Sequence, residues 1–144
     1  MKIKLGESVV TKNAKETMKV AKAFAKTLAE GDIVLLRGDL GAGKTVFAKG
    51  FVKGRNIKAD VVSPTFTIMN YYGEGKVVHY DLYRLDSLAE FEAFGGMESL
   101  FLGGVKLVEW PEKIGLENFP ENVYTALIEK NGDEVRKITI KKGK

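Results

Sequence analysis

The octapeptide Gly38-Asp39-Leu40-Gly41-Ala42-Gly43-Lys44-Thr45 fits the pattern G-x-x-x-x-G-K-[ST] at every fixed position. That spacing is suited to a polyphosphate. Its glycines let successive backbone N–H groups turn inward around phosphate oxygens, and a helix starting there adds the positive end of its dipole. Lys44 supplies a mobile charge for the β- and γ-phosphates, and the Thr45 hydroxyl can coordinate magnesium. A glycine-rich turn that merely joined a strand to a helix would need neither the Lys-Thr pair nor both outer glycines.

A magnesium polyphosphate site also needs a carboxylate near the metal, and two apolar stretches end in one. Val77-Val78-His79-Tyr80-Asp81 offers Asp81, and Val105-Lys106-Leu107-Val108-Glu109 offers Glu109. Either can act as a metal ligand or as a water-orienting base. Glu109 is the better metal candidate, because its strand is more uniformly apolar. His79 and Asp81 are two apart and share a strand face, whereas Tyr80 and Leu82 point the other way. For His79 a hydrogen-bonded place in the strand is a simpler role than catalysis. For Arg84 a surface salt bridge is simpler than an arginine finger. Ser63-Pro64-Thr65-Phe66 carries two hydroxyls around a rigid proline and fits a nucleotide-sensing segment or an ordinary strand entry equally. Trp110 fits the core or an exposed aromatic anchor.

The elements that must position these residues can be read from periodicity. Ile33 to Leu36 is a continuous apolar run, the pattern of a strand buried on both faces, and Val46 to Val52 predicts a helix ending near Gly54. Upstream, Lys2 to Leu5 alternates as a short strand. Asn13 to Leu28 has helical spacing, with Asn13 and Glu16 placed as a capping box. Thr65 to Tyr72 and Lys76 to Tyr83 read as strands around Gly73-Glu74-Gly75, and Leu88 to Leu102 as helix broken at Gly95-Gly96. Val105 to Trp110 is a further buried strand stopped by Pro111. The chain closes with a hairpin of Val123 to Glu129 and Glu134 to Ile140 around Asn131-Gly132, a dipeptide suited to a tight turn. Alternating strands and helices with late hairpins predict an α/β fold whose sheet is mixed in direction.

The chain of 144 residues is 44% hydrophobic and 29% charged, which predicts one globular domain over residues 1–144 and excludes disordered and collagenous classes. It has no cysteine, so disulfide frameworks, thiolate zinc sites, iron–sulfur clusters and cysteine nucleophiles are excluded. A single histidine argues against a metallohydrolase cluster. No apolar run has membrane-spanning length and the charged start lacks a secretory pattern, so a soluble cytoplasmic protein is expected. The net charge of +4 is too modest to establish contact with nucleic acid.

Four blocks in order, Gly38 to Thr45, Ser63-Pro64-Thr65-Phe66, His79-Tyr80-Asp81-Leu82-Tyr83-Arg84 and Leu107-Val108-Glu109-Trp110-Pro111, together resemble the bacterial TsaE family. That family is the ATPase of tRNA threonylcarbamoyladenosine synthesis. The resemblance implies a single-domain P-loop NTPase, with a mixed parallel/antiparallel sheet flanked by helices, that uses ATP and Mg2+. It implies a nucleotide cradle of Gly41, Ala42, Gly43, Lys44, Thr45 and Val46, with magnesium at Thr45 and Glu109. By the same resemblance Lys44, Asp81 and Glu109 serve catalysis, and Thr11 and Gly132 lie near the adenine. Val46 departs from the threonine common at that position, without consequence for metal binding. The implied partners are the transferase subunit TsaD and its companion TsaB, with tRNA contacted directly or through them. Nucleotide hydrolysis would reset that complex between turnovers.

Three other readings compete. A small-molecule kinase also uses a phosphate loop, but residues 86–104 contain none of the arginines of a mobile lid. A GTP switch lacks its Asn-Lys-x-Asp and Asp-x-x-Gly sequences here. A non-hydrolysing ATP sensor is compatible with the same motifs, and partner-stimulated turnover discriminates it.

Overall fold

The computed structural model describes residues 1–61 and 68–144, so the Ser63-Pro64-Thr65-Phe66 block and residues 65–67 of the expected strand lie outside the described residues. Among the described residues seven strands form one sheet, in chain order β1 (Ser8–Thr11), β2 (Ile33–Arg37), β3 (Met69–Tyr72), β4 (Val77–Asp81), β5 (Val105–Glu109), β6 (Tyr124–Lys130) and β7 (Arg136–Lys142). Among the described residues four α-helices, α1 (Ala14–Ala25), α2 (Lys44–Gly54), α3 (Leu88–Ala93) and α4 (Gly96–Leu100), lie between strands, with short 3-10 turns at Pro111–Lys113 and Leu116–Asn118.

The spatial order is β1-β7-β6-β2-β5-β4-β3. The central strands β6, β2, β5 and β4 run parallel, and β1, β7 and β3 add antiparallel edges. This is the mixed sheet expected from the alternation of elements. Because β2 is buried on both faces, its side chains divide between two cores. Val34 and Leu36 pack with Phe24 of α1 and with Phe47 and Phe51 of α2, whereas Ile33 and Leu35 pack with Tyr80, Phe91 and Leu100 on the opposite face. The long helices α1 and α2 therefore cover one face and the short helices α3 and α4 the other. Among the described residues, no helix is long and apolar enough to cross a membrane.

Local chemistry explains the boundaries. Asn13 accepts from the Glu16 N–H at 3.0 Å while the Glu16 carboxylate accepts from the Lys12 N–H at 2.8 Å, fixing the start of α1. The helix stops at Ala25 and not at Leu28, because the backbone bonds tighten to Thr27 N–H with the Phe24 carbonyl and Leu28 N–H with the Ala25 carbonyl, and Arg55 donates to the carbonyls of Ala25 and Leu28 at 3.0 and 2.8 Å. Contact between α1 and α2 depends on Gly50, where a Cβ would stand 2.3 Å from the Met18 carbonyl oxygen.

Several expectations require correction. Lys2 to Leu5 is not a strand. Pairing with β7 begins at Ser8, opposite Thr139, after a turn at Gly6 with φ of +85°. β4 ends at Asp81, whose carboxylate accepts the Tyr83 N–H at 3.0 Å and turns the chain. β5 ends at Glu109 because Trp110 adopts φ of +57°, a left-handed conformation, before Pro111. Asn131-Gly132 does not make a two-residue turn. Lys130 pairs with Arg136, leaving Asn131 to Val135 as a five-residue loop closed by Asn131 N–H to the Val135 carbonyl at 2.9 Å.

Candidate functional site

The turn from β2 into α2 has the backbone that the octapeptide requires. Gly41 and Gly43 take φ of +79° and +102°, where side chains are strained. Gly38 is needed for a different reason, since a Cβ there would lie 2.6 Å from the Ile128 carbonyl oxygen of β6. Gly43 is also the residue before α2, so no side chain caps the helix, and its first turn contains no acid. An eleven-residue helix thus presents its leading N–H groups and dipole end without a protein counter-charge. This donor set suits an anion.

Lys44 is only 7% exposed. Its ammonium donates to the Gly38 carbonyl at 2.7 Å, folding back over the loop, and lies 3.8 Å from the centroid of the Trp110 ring. Burial lowers its pKa from the ordinary lysine value, while Glu109, Asp81, Glu112 and Asp39 oppose the shift. The left-handed Trp110 brings its ring to this place, braced by Tyr83 at 5.0 Å between centroids. That arrangement gives Trp110 a third position, between core and anchor, as a wall beside the lysine.

The carboxylates come from the two strands next to β2 on that side. In the parallel register Asp81 is opposite Glu109, at the carboxyl ends of β4 and β5, and Leu36 near the end of β2 is opposite Glu109 as well. The loop, Glu109 and Asp81 therefore meet at the carboxyl ends of the central parallel strands, where such sheets leave a crevice for ligands. Glu109 is 4% exposed and lies 2.5 Å from Nε2 of the fully buried His79. With its proton on Nε2, His79 donates to the Glu109 carboxylate, so it is the hydrogen-bonded strand histidine expected. Its Nδ1 has no partner among the described residues. Asp81 is half-buried. Desolvation pushes its pKa up, the Tyr83 N–H opposes this, and the neighbouring Glu109 adds to the rise.

Among the described residues no three acids or histidines form a metal cage. The side chains there that could hold a divalent ion are the Thr45 hydroxyl and the Glu109 carboxylate, and Mg2+ ordinarily completes such a sparse set with phosphate and water oxygens. The Thr45 hydroxyl has no partner among the described residues, which leaves it available for that role.

Residues 11–138 match the family model "Threonylcarbamoyl adenosine biosynthesis protein TsaE". The chain belongs to the TsaE family. It is 37% identical over 132 residues to the tRNA threonylcarbamoyladenosine biosynthesis protein TsaE of Treponema pallidum, covering 91% of this chain and 97% of that one. Its identity to the protein of that name from Bacillus subtilis is 42% over 132 residues, 90% of this chain and 81% of the relative. The crystal structure of Bacillus subtilis YdiB superposes with a TM-score of 0.78 at 36% identity, covering 96% of this chain and 86% of that chain.

Within this TsaE-family fold two of the remaining expected residues, Thr11 and Gly132, come from the β1-β7-β6 side of the sheet. Thr11 is buried at the end of β1, and its hydroxyl is 2.7 Å from that of Thr17. Gly132 lies in the exposed loop between β6 and β7. What joins them is Arg136, which pairs with Thr11 across the β1–β7 ladder and donates to the Gly132 carbonyl at 3.1 Å. Arg84 is exposed and makes no ion pair among the described residues, which corrects the surface salt bridge expected for it. The sequence motifs pointed neither to Arg136 nor to the His79–Glu109 contact, and both depend on pairings between distant segments.

Proposed function

We propose that this TsaE-family chain is a P-loop NTPase that binds and hydrolyses ATP with Mg2+ in threonylcarbamoyladenosine biosynthesis on tRNA. The observation carrying this reading is the uncapped start of α2, enclosed by positive-φ glycines, with Lys44, Glu109 and Asp81 converging on it. Backbone N–H groups of Gly41, Ala42, Gly43, Lys44, Thr45 and Val46 surround the phosphates, and Lys44 leaves the Gly38 carbonyl for phosphate oxygens. Thr45 and Glu109 hold the metal, with Glu109 kept in place by His79. The chemistry Mg2+ would supply when held there is neutralisation of the charge on the triphosphate during transfer of its terminal phosphoryl group. Asp81, its pKa raised at the rim, orients the attacking water and takes its proton. Thr11 and Gly132 lie toward the adenine.

The partners proposed are TsaD and TsaB, whose complex this ATPase resets between turnovers in the cytoplasm, with tRNA engaged through them or directly. Steady-state hydrolysis of ATP and GTP, measured with magnesium before and after adding the purified transferase complex, tests the reading. Slow ATP-selective turnover that rises with the complex is expected. A rate unaffected by the complex would restore the small-molecule kinase and the unrelated ATP sensor.

A further inference from the structure

Arg136 opens β7 and is half-buried against the phosphate loop, ninety-four residues from the nearest loop carbonyl that it contacts. Its Nε donates to the Ala42 carbonyl at 2.7 Å, and one terminal nitrogen reaches the Gly41 carbonyl at 3.4 Å. The other terminal nitrogen donates to the carbonyls of Gly132, Asp133 and Val135 at 3.1, 3.0 and 2.9 Å. One guanidinium therefore clamps two loops, and no carboxylate ion-pairs with it among the described residues.

The peptide plane gives the clamp its consequence. In a trans peptide the C=O and the following N–H point in opposite directions. A guanidinium holding the Ala42 carbonyl on the outside of the turn thus directs the Gly43 N–H away from itself, and polarises it as a donor. The contact at Gly41 acts alike on the peptide to Ala42, whose N–H also donates to the Asp39 carbonyl at 3.0 Å. A Cβ at Gly43 would make only ordinary contact with Arg136 Nε, at 3.5 Å, so it is the φ of +102° and not crowding that calls for glycine there. Positive φ at Gly41 and Gly43 is a conformation that an unliganded loop would otherwise readily leave.

We propose that Arg136 is a positioning residue, one that fixes the phosphate loop in its anion-binding geometry and couples it to the 131–135 loop. The proposal rests on the ATP-binding reading above. A lysine cannot replace it, because a single ammonium lacks the planar fork that reaches both loops at once.

The test uses the full chain with Arg136→Met and Arg136→Lys. Hydrogen exchange of the nucleotide-free proteins is expected to accelerate at the bonded amides of the two clamped loops, Ala42 (to the Asp39 carbonyl) and Asn131 (to the Val135 carbonyl), in both variants, while Ile128 and Ile138 in the core of the sheet keep their protection. Affinities for Mg-ATP and for magnesium tripolyphosphate are expected to fall together, by about tenfold, the loss of one charged hydrogen bond. Wild-type exchange at Ala42 and Asn131 in both variants, or an unchanged tripolyphosphate affinity, overturns the proposal. So does a loss confined to ATP, which would assign Arg136 to the base. Failure of the wild type to bind either ligand would instead reject the ATP-binding reading, with the exchange comparison still deciding the clamp.

Discussion

Replacing His79 with leucine removes the partner of a carboxylate that is 4% exposed and 2.5 Å from the ring nitrogen. A hydrogen bond to a charged group contributes about 1.5–3 kcal/mol net, and removing one partner of a buried pair costs about 3–5 kcal/mol. The lower part of that range applies, because Nδ1 is already buried without a described partner and His79→Leu relieves that penalty. We expect a loss of about 3 kcal/mol, or roughly 10 °C in Tm for a domain of this size. Glu109→Gln alone should cost about 1 kcal/mol, because an amide still bonds to the imidazole. In the double variant the amide at position 109 leaves no buried charge without a partner, so the coupling energy should be about 1.5–2 kcal/mol. Urea unfolding of the four proteins at neutral pH measures it. A coupling below about 0.5 kcal/mol, the limit of simple additivity, would refute the claim that this pair is a unit.

Other expectations follow from the same contacts. The raised pKa of Asp81 means that the folded state holds its proton more tightly than the unfolded chain, so Asp81 destabilises once ionised and stability falls as pH rises through that window. Asp81→Asn should therefore raise Tm at pH 7, with the gain vanishing in acid below the ordinary aspartate pKa, while hydrolysis is lost. Gly50→Ala gains about 1 kcal/mol of helix propensity but drives a methyl against the Met18 carbonyl, 2.3 Å from the ideal Cβ. Overpacking of about 1–3 kcal/mol should dominate and lower the urea midpoint. Removing His79 should also weaken Mg2+ binding in the presence of ATP by about tenfold or more, as loss of an outer-shell partner does, measured by magnesium titration.

The parts legible in the sequence are those whose signals are local. Ile33 to Leu36 is apolar without a break because β2 lies between two cores, and the glycines, Lys44 and Thr45 follow it directly. Local alternation misplaced the first strand, since Lys2 to Leu5 alternates as a strand would, yet the β1–β7 ladder engages Ser8 to Thr11. At Asn131-Gly132 the turn preference was outweighed by Arg136, which draws three carbonyls of a longer loop around its guanidinium. The strand period correctly set His79 and Asp81 on one face. Only the parallel register of β4 on β5 shows that Asp81 stands opposite Glu109 and that His79 reaches Glu109 diagonally. Arg136 had no local signal, because its partners at Gly41 and Ala42 are nearly a hundred residues away.

Titration calorimetry of ATP into the wild type and Lys44→Ala, each with magnesium and with chelator, is the most direct test of the proposed phosphate site. The account predicts a single ATP site in the wild type that weakens without magnesium and is lost in Lys44→Ala. Equal binding by both proteins, or no binding by the wild type, would contradict it.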